Sequence, residues 1–454
     1  MAILTKAVKG TKDIMPDETG KQRFLENMLF DIAESYGFKE IRTPVFEHTE
    51  LFQRGVGETT DVVQKEMYTF DDKGGRSITL RPEGTAGAVR SFIEHGLFNE
   101  SLPQKLCYLL NCYRYEKPQA GRWREFQQFG VEMLGSANPS ADAEVISLAH
   151  QIFNFLGIEG LELELNSIGC PECRKNYHKA LKEYFEGCRD QLCHTCLERL
   201  DKNPMRILDC KDPSCQKISA GSPVITDYLC DDCAEHFESV KKYLTAMDIE
   251  FKVNPRIVRG LDYYTRTVFE FVSTAIGAQG TVCGGGRYDG LVKELGGPDT
   301  PALGFGLGTG RLKMLLENQN TELPADNPCE IYIAPMDAAA SLKAMALTND
   351  LRASGIHAQT DVYGRSLKAQ MKYADKIGAR YTCVIGSDEL LQGVLKVKNM
   401  NTGETAEIKM ENFEDNFLRL SIDDEVSKIA DDFYDGESEG PLTDKLDIGG
   451  DLNG

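Results

Sequence analysis

The residues best suited to chemistry lie in the segment Ile257–Arg266, which reads Ile-Val-Arg-Gly-Leu-Asp-Tyr-Tyr-Thr-Arg. Arg259 offers a permanently charged fork of donors that suits a carboxylate or a phosphate. Tyr263 and Tyr264 are adjacent, so in a strand or a tight turn their rings are expected to face opposite ways. One ring would line a pocket while the other packs behind it.

A second segment, from Tyr113 to Glu132, surrounds a Pro/Gly turn between two strand-like runs. Its basic residues near the turn are Arg114, Lys117, Arg122 and Arg124. Arginines that reach out of a sheet suit the anionic oxygens of a polyphosphate. Phe126 can stack on a purine, and Gln128 and Glu132 share one sheet face because an even number of residues separates them. A solvated basic hairpin would explain this segment equally well by itself.

Three shorter segments also have residue types that suit a ligand. Arg81 and Glu83 lie on one side of a Pro/Gly turn. Gly284–Gly290 lacks the lysine and Ser/Thr of a P-loop, so its glycines are expected to let the backbone approach a ligand or another strand. Ala302–Leu312 reads as a glycine-rich strand that runs into a helix, with Arg311 near the junction. A surface turn and a solvated arginine are the simpler alternatives.

Nine of the fourteen cysteines lie between Cys170 and Cys233. Their pairs are Cys170/Cys173, Cys193/Cys196, Cys230/Cys233 and, more loosely spaced, Cys210/Cys215. This spacing is typical of Cys₄ zinc sites, and eight thiolates would fill two tetrahedral sites. Disulfides are disfavoured in a reducing cytoplasm. Cys188 belongs to none of these pairs, and His178, His194 or His236 could replace a cysteine as a metal ligand. Metal-free thiols are the alternative.

The elements that position these groups are predicted to form a mostly antiparallel sheet, because strand-like runs follow one another with few crossover helices. These runs are Ser77–Leu80, Lys105–Leu110, Phe126–Met133 and Leu161–Leu165. A further short strand, interrupted by Pro44, is expected over Ile41–Phe46. The Cys-rich composition of residues 169–245 breaks this pattern and predicts an inserted domain.

From Cys329 to about Leu420 strands and helices alternate, which predicts a small α/β domain with a largely parallel sheet. The expected divisions are 1–168 and 246–325 for the two parts of the sheet domain, 169–245 for the insert, 326–420 for the α/β domain and 421–454 for a disordered tail. The tail holds eleven Asp or Glu against two Lys, a composition typical of disorder.

The formal net charge of −20 limits how the chain can bind a nucleic acid. An RNA partner would need a local basic stripe. Lys368, Lys372 and Lys376 recur every four residues on a predicted helix and form such a stripe, although solvated helix lysines are the common alternative. No apolar run approaches the ~20 residues that span a bilayer, and the N-terminus lacks a secretory pattern. A cytoplasmic location and no membrane partner are expected.

Together these segments resemble the histidyl-tRNA synthetases, a family of class II aminoacyl-tRNA synthetases, over about residues 5 to 420. Lys9–Pro16 is similar to the family's N-terminal signature, and Pro44 with its preceding helix is similar to motif 1. Tyr113–Gly135 is similar to motif 2, and Ala302–Leu312 is similar to motif 3. The two histidine-specific signatures are matched by Val258–Tyr264 and Gly285–Asp289. The resemblance implies an α+β fold, with a class II catalytic core on a mostly antiparallel sheet and a C-terminal α/β anticodon-binding domain. It further implies a homodimer that uses ATP with Mg²⁺, L-histidine and the tRNA for histidine.

The resemblance also assigns roles to residues. ATP would be bound by Arg114, Glu116, Arg122, Phe126 and Arg311, and histidine by Glu83, Gln128, Glu132, Arg259, Tyr263 and Tyr264. Arg259 and Arg114 would be catalytic, with Arg259 touching both the substrate carboxylate and the α-phosphate. The chain departs from the family pattern at Gly310, where glutamate is usual, and at Tyr115, where histidine is usual. The zinc expectation rests on cysteine spacing alone.

Two other functions fit parts of the sequence. A non-catalytic paralogue could sense histidine for a biosynthetic enzyme, but such paralogues tend to lose the Arg-Gly-Leu-Asp-Tyr-Tyr signature and the C-terminal domain, and both are present here. A class II synthetase for another amino acid is the second alternative, and the Tyr263–Tyr264 pair counts against it.

Overall fold

The computed structural model of the chain describes residues 5–57, 60, 62–119, 121–210, 212–273, 280–324 and 329–435. Its contacts define two compact units, residues 1–325 and 326–454. None of the helices in the described ranges combines the length and the apolar character needed to cross a membrane.

An eight-stranded sheet forms the centre of the first unit. In spatial order its strands are β1 (Lys39–Glu40), β5 (Gln104–Tyr113), β6 (Glu125–Leu134), β11 (Ala302–Gly308), β10 (Thr281–Arg287), β9 (Thr265–Ser273), β7 (Leu161–Ser167) and β8 (Lys252–Val253). The six central strands pair antiparallel, and the short edge strands β1 and β8 run parallel to their neighbours. The predicted mostly antiparallel sheet is confirmed.

Alternation along β6 separates an apolar face of the sheet from a polar face. Phe129, Val131 and Met133 belong to a large buried core on one face. The helices that contribute to this core are α1 (Pro16–Ser35), α4 (Pro139–Phe155), α8 (Asp231–Ala246) and α10 (Thr309–Asn318). Gln128 and Glu132 alternate with these apolar residues and therefore lie on the opposite face, as their spacing predicts.

The elements beside the polar face are shorter. They are α2 (Thr49–Val56), α3 (Thr85–Glu94), α9 (Leu291–Glu294) and a three-stranded sheet in the order β2 (Phe46–His48), β4 (Ser77–Leu80) and β3 (Tyr68–Asp71). Val89 and Phe92 of α3 pack against Leu106 of β5 and Leu134 of β6 in a second buried core. Helix α3 is thereby fixed over the polar face.

The predicted strand over Ile41–Phe46 is wrong, because residues 41–44 lie outside strands between β1 and β2. Pro44 has no N–H to donate to a neighbouring strand. The carbonyl oxygens of Thr43 and Pro44 instead accept hydrogen bonds from Arg81 Nη1 at 2.8 and 3.0 Å. A guanidinium thus takes the acceptors that a strand partner would otherwise use.

The Cys-rich segment folds as four helices that share their cores with the rest of the first unit. They are α5 (Pro171–Glu186), α6 (His194–Lys202), α7 (Pro213–Ala220) and α8. Leu181 and Phe185 of α5 join the core that contains α3, whereas α8 joins the core under the apolar face of the large sheet. The insert is therefore packed onto the sheet through both of its ends.

The second unit has a five-stranded sheet in the order β13 (Ala358–Thr360), β12 (Ile331–Pro335), β14 (Tyr381–Ile385), β15 (Val394–Asn399) and β16 (Thr405–Lys409). Its helices are α11 (Ala338–Ala353), α12 (Leu367–Lys376), α13 (Ser387–Gln392) and α14 (Phe413–Asp435). The predicted α/β domain is confirmed, but its sheet is mixed. The first three strands are parallel, while β14 pairs antiparallel with β15 and β15 pairs antiparallel with β16.

Helix α14 continues past residue 420 into the segment expected to be a disordered tail. The Asp424 carboxylate accepts hydrogen bonds from Tyr381 OH and, at 2.9 Å, from Asn399 Nδ2. Ser421 is buried. The first residues of the expected tail therefore complete the fold of the second unit, and residues 436–454 lie outside the described part of the chain.

A buried ion pair joins α4 to the end of β10. Arg287, which has no exposed side-chain surface, donates from Nη2 to Asp142 Oδ2 at 2.7 Å. His236 of α8 lies 3.2 Å from the same carboxylate. Although burial acts to raise it, His236 and Arg287 hold the pKa of Asp142 below its ordinary value. The interaction fixes the position of Tyr288, the next residue along the chain.

We expect Asp142→Ala to lower the free energy of unfolding of the first unit by about 3–5 kcal/mol, the cost of leaving a buried charge without its partner. Denaturant titration followed by circular dichroism would measure this. Asp299→Ala is a suitable control, because it removes an acid from the exposed pair with Lys293, and such pairs contribute little. Equal stabilities of the two variants would contradict the structural role of Asp142.

Candidate functional site

A fully buried carboxyl group, that of Glu132, lies at the centre of the polar face. It accepts hydrogen bonds from Thr85 Oγ1 at 2.7 Å, from Tyr108 OH at 2.8 Å and from Tyr288 OH. Burial raises the pKa of Glu132 to about 8, although these donors oppose the rise. Near neutral pH the carboxyl group therefore carries a proton for much of the time and can exchange it with a basic ligand.

Glycines on β11 leave the space that the polar side chains of β6 occupy. Gly304 is paired with Glu132 in the sheet, and a Cβ atom at Gly304 would overlap the Glu132 carboxyl group. A Cβ atom at Gly306 would come within 2.6 Å of Gln128 Nε2. The glycines of this segment thus make room for the functional side chains of the adjacent strand.

Tyr263 and Tyr264 do not face opposite ways, so that expectation is wrong. Their ring centroids are 4.7 Å apart, and the ring of Tyr263 is 5.4 Å from that of Tyr288. All three side chains are buried. The two residues lie in a turn just before β9, where the alternation of a strand does not apply. The three rings form one aromatic wall, which reaches Glu132 through the Tyr288 hydroxyl.

Arg259 is held at the edge of this wall by an ion pair with Glu270 of β9. Its Cζ atom is 5.6 Å from the Tyr264 ring centroid. Although burial acts to lower it, the Glu270 carboxylate raises the pKa of Arg259 above its ordinary value. Within the described part of the chain Arg259 Nε is buried without a hydrogen-bond partner. A permanently charged fork with an unused donor is therefore fixed in place.

Arg311 is linked to Arg259 through two intervening residues. Thr281 Oγ1 donates to Glu270 Oε2 at 2.8 Å, and Arg311 Nη1 donates to the Thr281 carbonyl oxygen at 2.5 Å. Burial lowers the pKa of Arg311, and the nearby positive charge of Arg122 lowers it further. The guanidinium groups of Arg259, Arg311 and Arg122 thus form a positively charged region that an anionic ligand would stabilise.

The turn before α3 brings Glu83 to the other side of the pocket. Its carboxylate accepts a hydrogen bond from the Thr85 N–H at 3.0 Å, and Thr85 also donates its hydroxyl to Glu132. Gln128 Oε1 accepts from the N–H of Gly84 at 3.0 Å. Burial raises the pKa of Glu83, an effect that the backbone donors oppose. Two carboxyl groups and one amide therefore converge on one pocket.

The basic segment after β5 lies at the border of the same pocket. Arg114 Cζ is 5.2 Å from the Phe126 ring centroid, and Arg114 Nε donates to the Pro82 carbonyl oxygen at 2.8 Å. Arg122 pairs with Glu116 at 3.1 Å. An aromatic ring flanked by guanidinium groups suits a purine and its phosphates. The structure thus brings the residues assigned to ATP and those assigned to histidine onto one sheet face.

The two departures from the family pattern leave this arrangement intact. The Tyr115 ring lies 3.9 Å from Arg124 Cζ and 5.7 Å from the Tyr68 ring centroid. Gly310 is the second residue of α10, next to Arg311, and outside its chain neighbours and the helix's own backbone no described atom lies within 4 Å of where its Cβ atom would be. The space at position 310 is therefore open.

Sequence reasoning missed four residues of the pocket: Thr85, Tyr108, Glu270 and Tyr288. Glu270 could have been identified from the sequence, because it is a single charged residue within the apolar strand Val268–Val272. Tyr288 lies inside the glycine-rich segment that was singled out for its glycines. Tyr108 and Thr85 had no distinct signal, since only the fold brings them to Glu132.

The eight paired cysteines come together as two groups of four. The first cluster is Cys170, Cys173, Cys230 and Cys233, and the second cluster is Cys193, Cys196, Cys210 and Cys215. Within each cluster the sulfur atoms lie within 4.8 Å of one another. The sulfurs of Cys170 and Cys173 are 3.6 Å apart, and those of Cys193 and Cys210 are 3.8 Å apart. Two thiolates on a tetrahedral zinc with bonds of ~2.3 Å would be ~3.8 Å apart.

Three of the clustered cysteines cap helices. Cys170, Cys193 and Cys230 are the N-cap residues of α5, α6 and α8, so each lies at the positive end of a helix dipole. Although desolvation opposes it, hydrogen bonds from Cys173 lower the pKa of Cys170 to about 7. Among the described residues neither Cys188 nor a histidine joins a cluster, and His236 contacts Asp142 instead.

The predicted basic stripe lies in the second unit. Lys368, Lys372 and Lys376 are exposed on α12, whereas Gln370 and Ala374 of the same helix are buried. The three ammonium groups therefore lie on the solvent side of the helix, where a polyanion can reach them.

Two family models match the chain. The model described as Histidyl-tRNA synthetase matches residues 10–172 and 219–312, and the model described as Anticodon binding domain matches residues 330–420. Residues 173–218, which include five of the eight clustered cysteines, fall between the matched parts of the first model.

Similar proteins cover nearly the whole chain. A protein named histidine–tRNA ligase from Caldanaerobacter subterraneus is 56% identical over 412 residues, 91% of this chain and 99% of its own length. One of the same name from Acetivibrio thermocellus is 54% identical over 90% of this chain and 98% of its own length. The crystal structure of apo S. aureus histidyl-tRNA synthetase has a TM-score of 0.79 at 42% identity and covers 91% of this chain and 100% of that chain. On these matches and this fold, the chain belongs to the histidyl-tRNA synthetase family.

Proposed function

We propose that the chain is a histidine–tRNA ligase, which activates L-histidine with ATP and transfers it to the 3′ end of the tRNA for histidine. The observation that carries the proposal is the buried Glu132 carboxyl group, which is hydrogen-bonded to one of three packed tyrosines and lies on the same sheet face that Arg259 borders. Relatives with this name at 56% and 54% identity support it.

Glu132 and Tyr264 would read the imidazole ring of histidine. Burial raises the pKa of Glu132 above its ordinary value, in the direction of the ~6.5 of an unperturbed imidazole. The carboxyl group and a ring nitrogen can therefore share one proton in a hydrogen bond. A side chain of similar size with no ring nitrogen would leave the buried Glu132 carboxyl group without that partner, at a cost in binding. The aromatic wall, including Tyr263, would enclose the flat ring.

The remaining groups suit the backbone atoms of the amino acid. Glu83 and Gln128 would bind the α-ammonium group, since both present acceptor oxygens at the pocket. Arg259 would bind the carboxylate and the α-phosphate together. Because both of these groups are anions, their approach requires a positive charge at the point where they meet. The ion pair with Glu270 holds Arg259 ready for this role.

ATP would be bound at the basic border of the pocket, with its adenine against Phe126 and its phosphates near Arg114, Arg122 and Arg311. Glu116 would orient Arg122, with which it pairs. The ring and guanidinium groups fit a purine nucleotide, and the family implies Mg²⁺, which neutralises phosphate charge when bound.

A carboxylate oxygen of histidine forms a bond to the α-phosphorus, the bond from that phosphorus to the bridging oxygen breaks, and pyrophosphate leaves. In the second step the terminal adenosine hydroxyl attacks the histidyl carbonyl carbon, the bond from that carbon to the phosphate oxygen breaks, and AMP and the hydroxyl proton leave.

The second unit would bind the anticodon region of the tRNA, consistent with the family model that it matches. Lys368, Lys372 and Lys376 offer the basic stripe that an acidic chain needs for phosphate contacts. This assignment is a proposal about the surface of α12, and solvated lysines are the alternative that an experiment must exclude.

We further propose a homodimer that works in the cytoplasm. Phe46 of β2 and Phe70 of β3 are 54% and 49% exposed on the three-stranded sheet, and Val45 is 41% exposed beside them. Exposed aromatic residues on one small sheet favour burial against a second copy.

The cysteines support the cytoplasmic location. All fourteen cysteines are free thiols, and free thiols are typical of a reducing compartment.

The two clusters would each hold one structural zinc ion. Four sulfurs within 4.8 Å of one another satisfy the coordination number of a closed zinc site, and zinc commonly stabilises small segments with little core of their own. The absence of disulfides among the fourteen cysteines leaves all eight thiols free to bind metal.

The function itself is tested by ATP–pyrophosphate exchange with each amino acid in turn. Exchange with L-histidine alone supports the ligase. Exchange with a different amino acid would support the alternative synthetase, and no exchange with any amino acid would support the histidine-sensing paralogue.

Removing the charge of Arg259 should slow activation. We expect Arg259→Ala to reduce the rate of histidine-dependent exchange by on the order of 10²–10³, the effect of losing one transition-state donor. Arg189→Ala is the matched control, because Arg189 pairs with Glu186 on the surface of the insert, and it should retain full activity. A folded Arg259→Ala protein with near wild-type exchange would refute the assignment.

Elemental analysis should find two zinc ions per chain in protein purified without a chelator. The double change Cys193→Ser and Cys196→Ser should remove one of them, because it destroys the second cluster and leaves the first. Cys188→Ser should retain both, since Cys188 belongs to neither cluster. Wild-type protein without zinc would rule out the metal sites.

Changing Lys368, Lys372 and Lys376 together to glutamine should weaken tRNA binding and flatten its salt dependence, because fewer counterions are released. Histidine activation should stay unchanged. The double change Lys252→Gln and Lys293→Gln is a control, since both lysines already pair with carboxylates. Unchanged tRNA affinity at low salt in the triple variant would assign the stripe to solvent.

A further inference from the structure

Two arginines of the insert contact the loop that carries Arg259 and the tyrosine pair, here called the signature loop (residues 259–264). Arg174 Nη1 donates a hydrogen bond to the carbonyl oxygen of Tyr264 at 3.1 Å. Arg206 Nη2 donates to the carbonyl oxygen of Gly260 at 2.8 Å. The signature loop lies outside regular strands, so these contacts satisfy carbonyl groups that have no strand partner.

The contact of Arg206 extends to a side chain of the loop. Arg206 Nη2 also lies 3.1 Å from Asp262 Oδ1, and both side chains are largely buried. Asn203 Nδ2 donates to the same oxygen at 3.4 Å. The insert therefore holds the signature loop near both of its ends, at Gly260 and Asp262 and again at Tyr264.

Each arginine is close in sequence to a cysteine cluster. Arg174 directly follows Cys173 of the first cluster, and Arg206 lies between Cys196 and Cys210 of the second cluster. A metal ion bound to four sulfurs fixes the backbone on both sides of each cysteine. The position from which each arginine reaches the loop thus depends on the state of the nearby cluster.

The first cluster is also linked to the start of β9, directly after the loop. The carbonyl oxygen of Gly169, which precedes Cys170, accepts from the N–H of Arg266 at 2.9 Å, and the N–H of Ile168 donates to the carbonyl oxygen of Arg266 at 2.7 Å. Arg266 has a φ angle of 48°, a left-handed conformation that a non-glycine residue keeps only when its surroundings enforce it. Segment 168–170 is part of those surroundings.

We propose that the insert is a metal-dependent clamp on the signature loop, in which the two clusters hold Arg174 and Arg206 as positioning residues for histidine recognition. The clamp rests on the proposed function of the pocket and of the clusters. Loss of either arginine, or of the bound metal, weakens histidine binding more than ATP binding. Both arginines lie in residues 173–218, which the family model leaves unmatched, whereas it matches the loop.

The first test measures the dissociation constants of L-histidine and ATP by calorimetry on the full chain. Arg174→Ala and Arg206→Ala should each weaken histidine binding about tenfold, the factor expected for one hydrogen bond from a charged donor. ATP affinity should change less than twofold. Arg174→Lys should recover most of the loss, because one ammonium donor can replace the single bond to the Tyr264 carbonyl. Arg189→Ala, on the same insert but paired with Glu186, should bind both ligands as wild type does.

The second test removes the metal from the wild-type protein with a chelator and repeats both titrations. Histidine affinity should fall by at least the factor seen in the arginine variants, and added Zn²⁺ should restore it. Zinc-loaded protein with normal histidine affinity in both alanine variants would overturn the clamp. If an alanine variant does not fold, the glutamine variant at the same position takes its place.

These outcomes separate the clamp from the proposed function. A wild-type protein that shows no histidine-dependent exchange refutes the proposed function itself, and one that contains no zinc refutes the metal sites and with them the metal dependence of the clamp. A wild-type protein that holds zinc and activates histidine, but whose histidine affinity ignores Arg174, Arg206 and chelation, refutes the clamp alone. Equal losses of histidine and ATP affinity would show a general structural role and would also overturn it.

Discussion

The burial of the Glu132 carboxyl group is the constraint on which the pocket depends. A carboxyl group in the middle of a sheet needs hydrogen-bond donors and space. The donors come from α3, from β5 and from the residue that follows β10, and the space comes from a glycine on β11. Four separate parts of the chain must therefore be in place before this one side chain can be accommodated. Any ligand that pairs with Glu132 stabilises all four at once.

Charge is distributed unevenly across the polar face of the sheet. The carboxyl groups of Glu83 and Glu132 lie on one side, and the guanidinium groups of Arg259 and Arg311 lie on the other. A ligand with a basic end and an acidic end is complementary to this arrangement, whereas a simple anion or cation matches only half of it. The pairing of Arg259 with Glu270 holds the guanidinium group on the positive side.

The sequence was enough to predict the antiparallel sheet, the α/β fold of the second unit and the shared face of Gln128 and Glu132, because each follows from local periodicity. It failed where tertiary contacts override local pattern. Tyr263 and Tyr264 share one pocket since a turn replaces the expected alternation. Residues 41–44 form no strand, because Arg81 takes the carbonyl groups of Thr43 and Pro44. The grouping of the cysteines into two clusters also required the fold, since spacing identifies pairs but not which pairs meet. Thr85 and Tyr108 could not be found in advance, because nothing local marks a hydroxyl group that will meet a distant carboxyl group.

The strand order of the large sheet has a consequence for how the chain is made. Strands β9, β10 and β11, all formed after residue 264, lie between β6 and β7, which are formed before residue 168. While the ribosome synthesises the insert, β6 and β7 each have an open edge that later strands must fill. Open edges of this kind are prone to wrong pairing. The whole insert is therefore synthesised before the sheet can close.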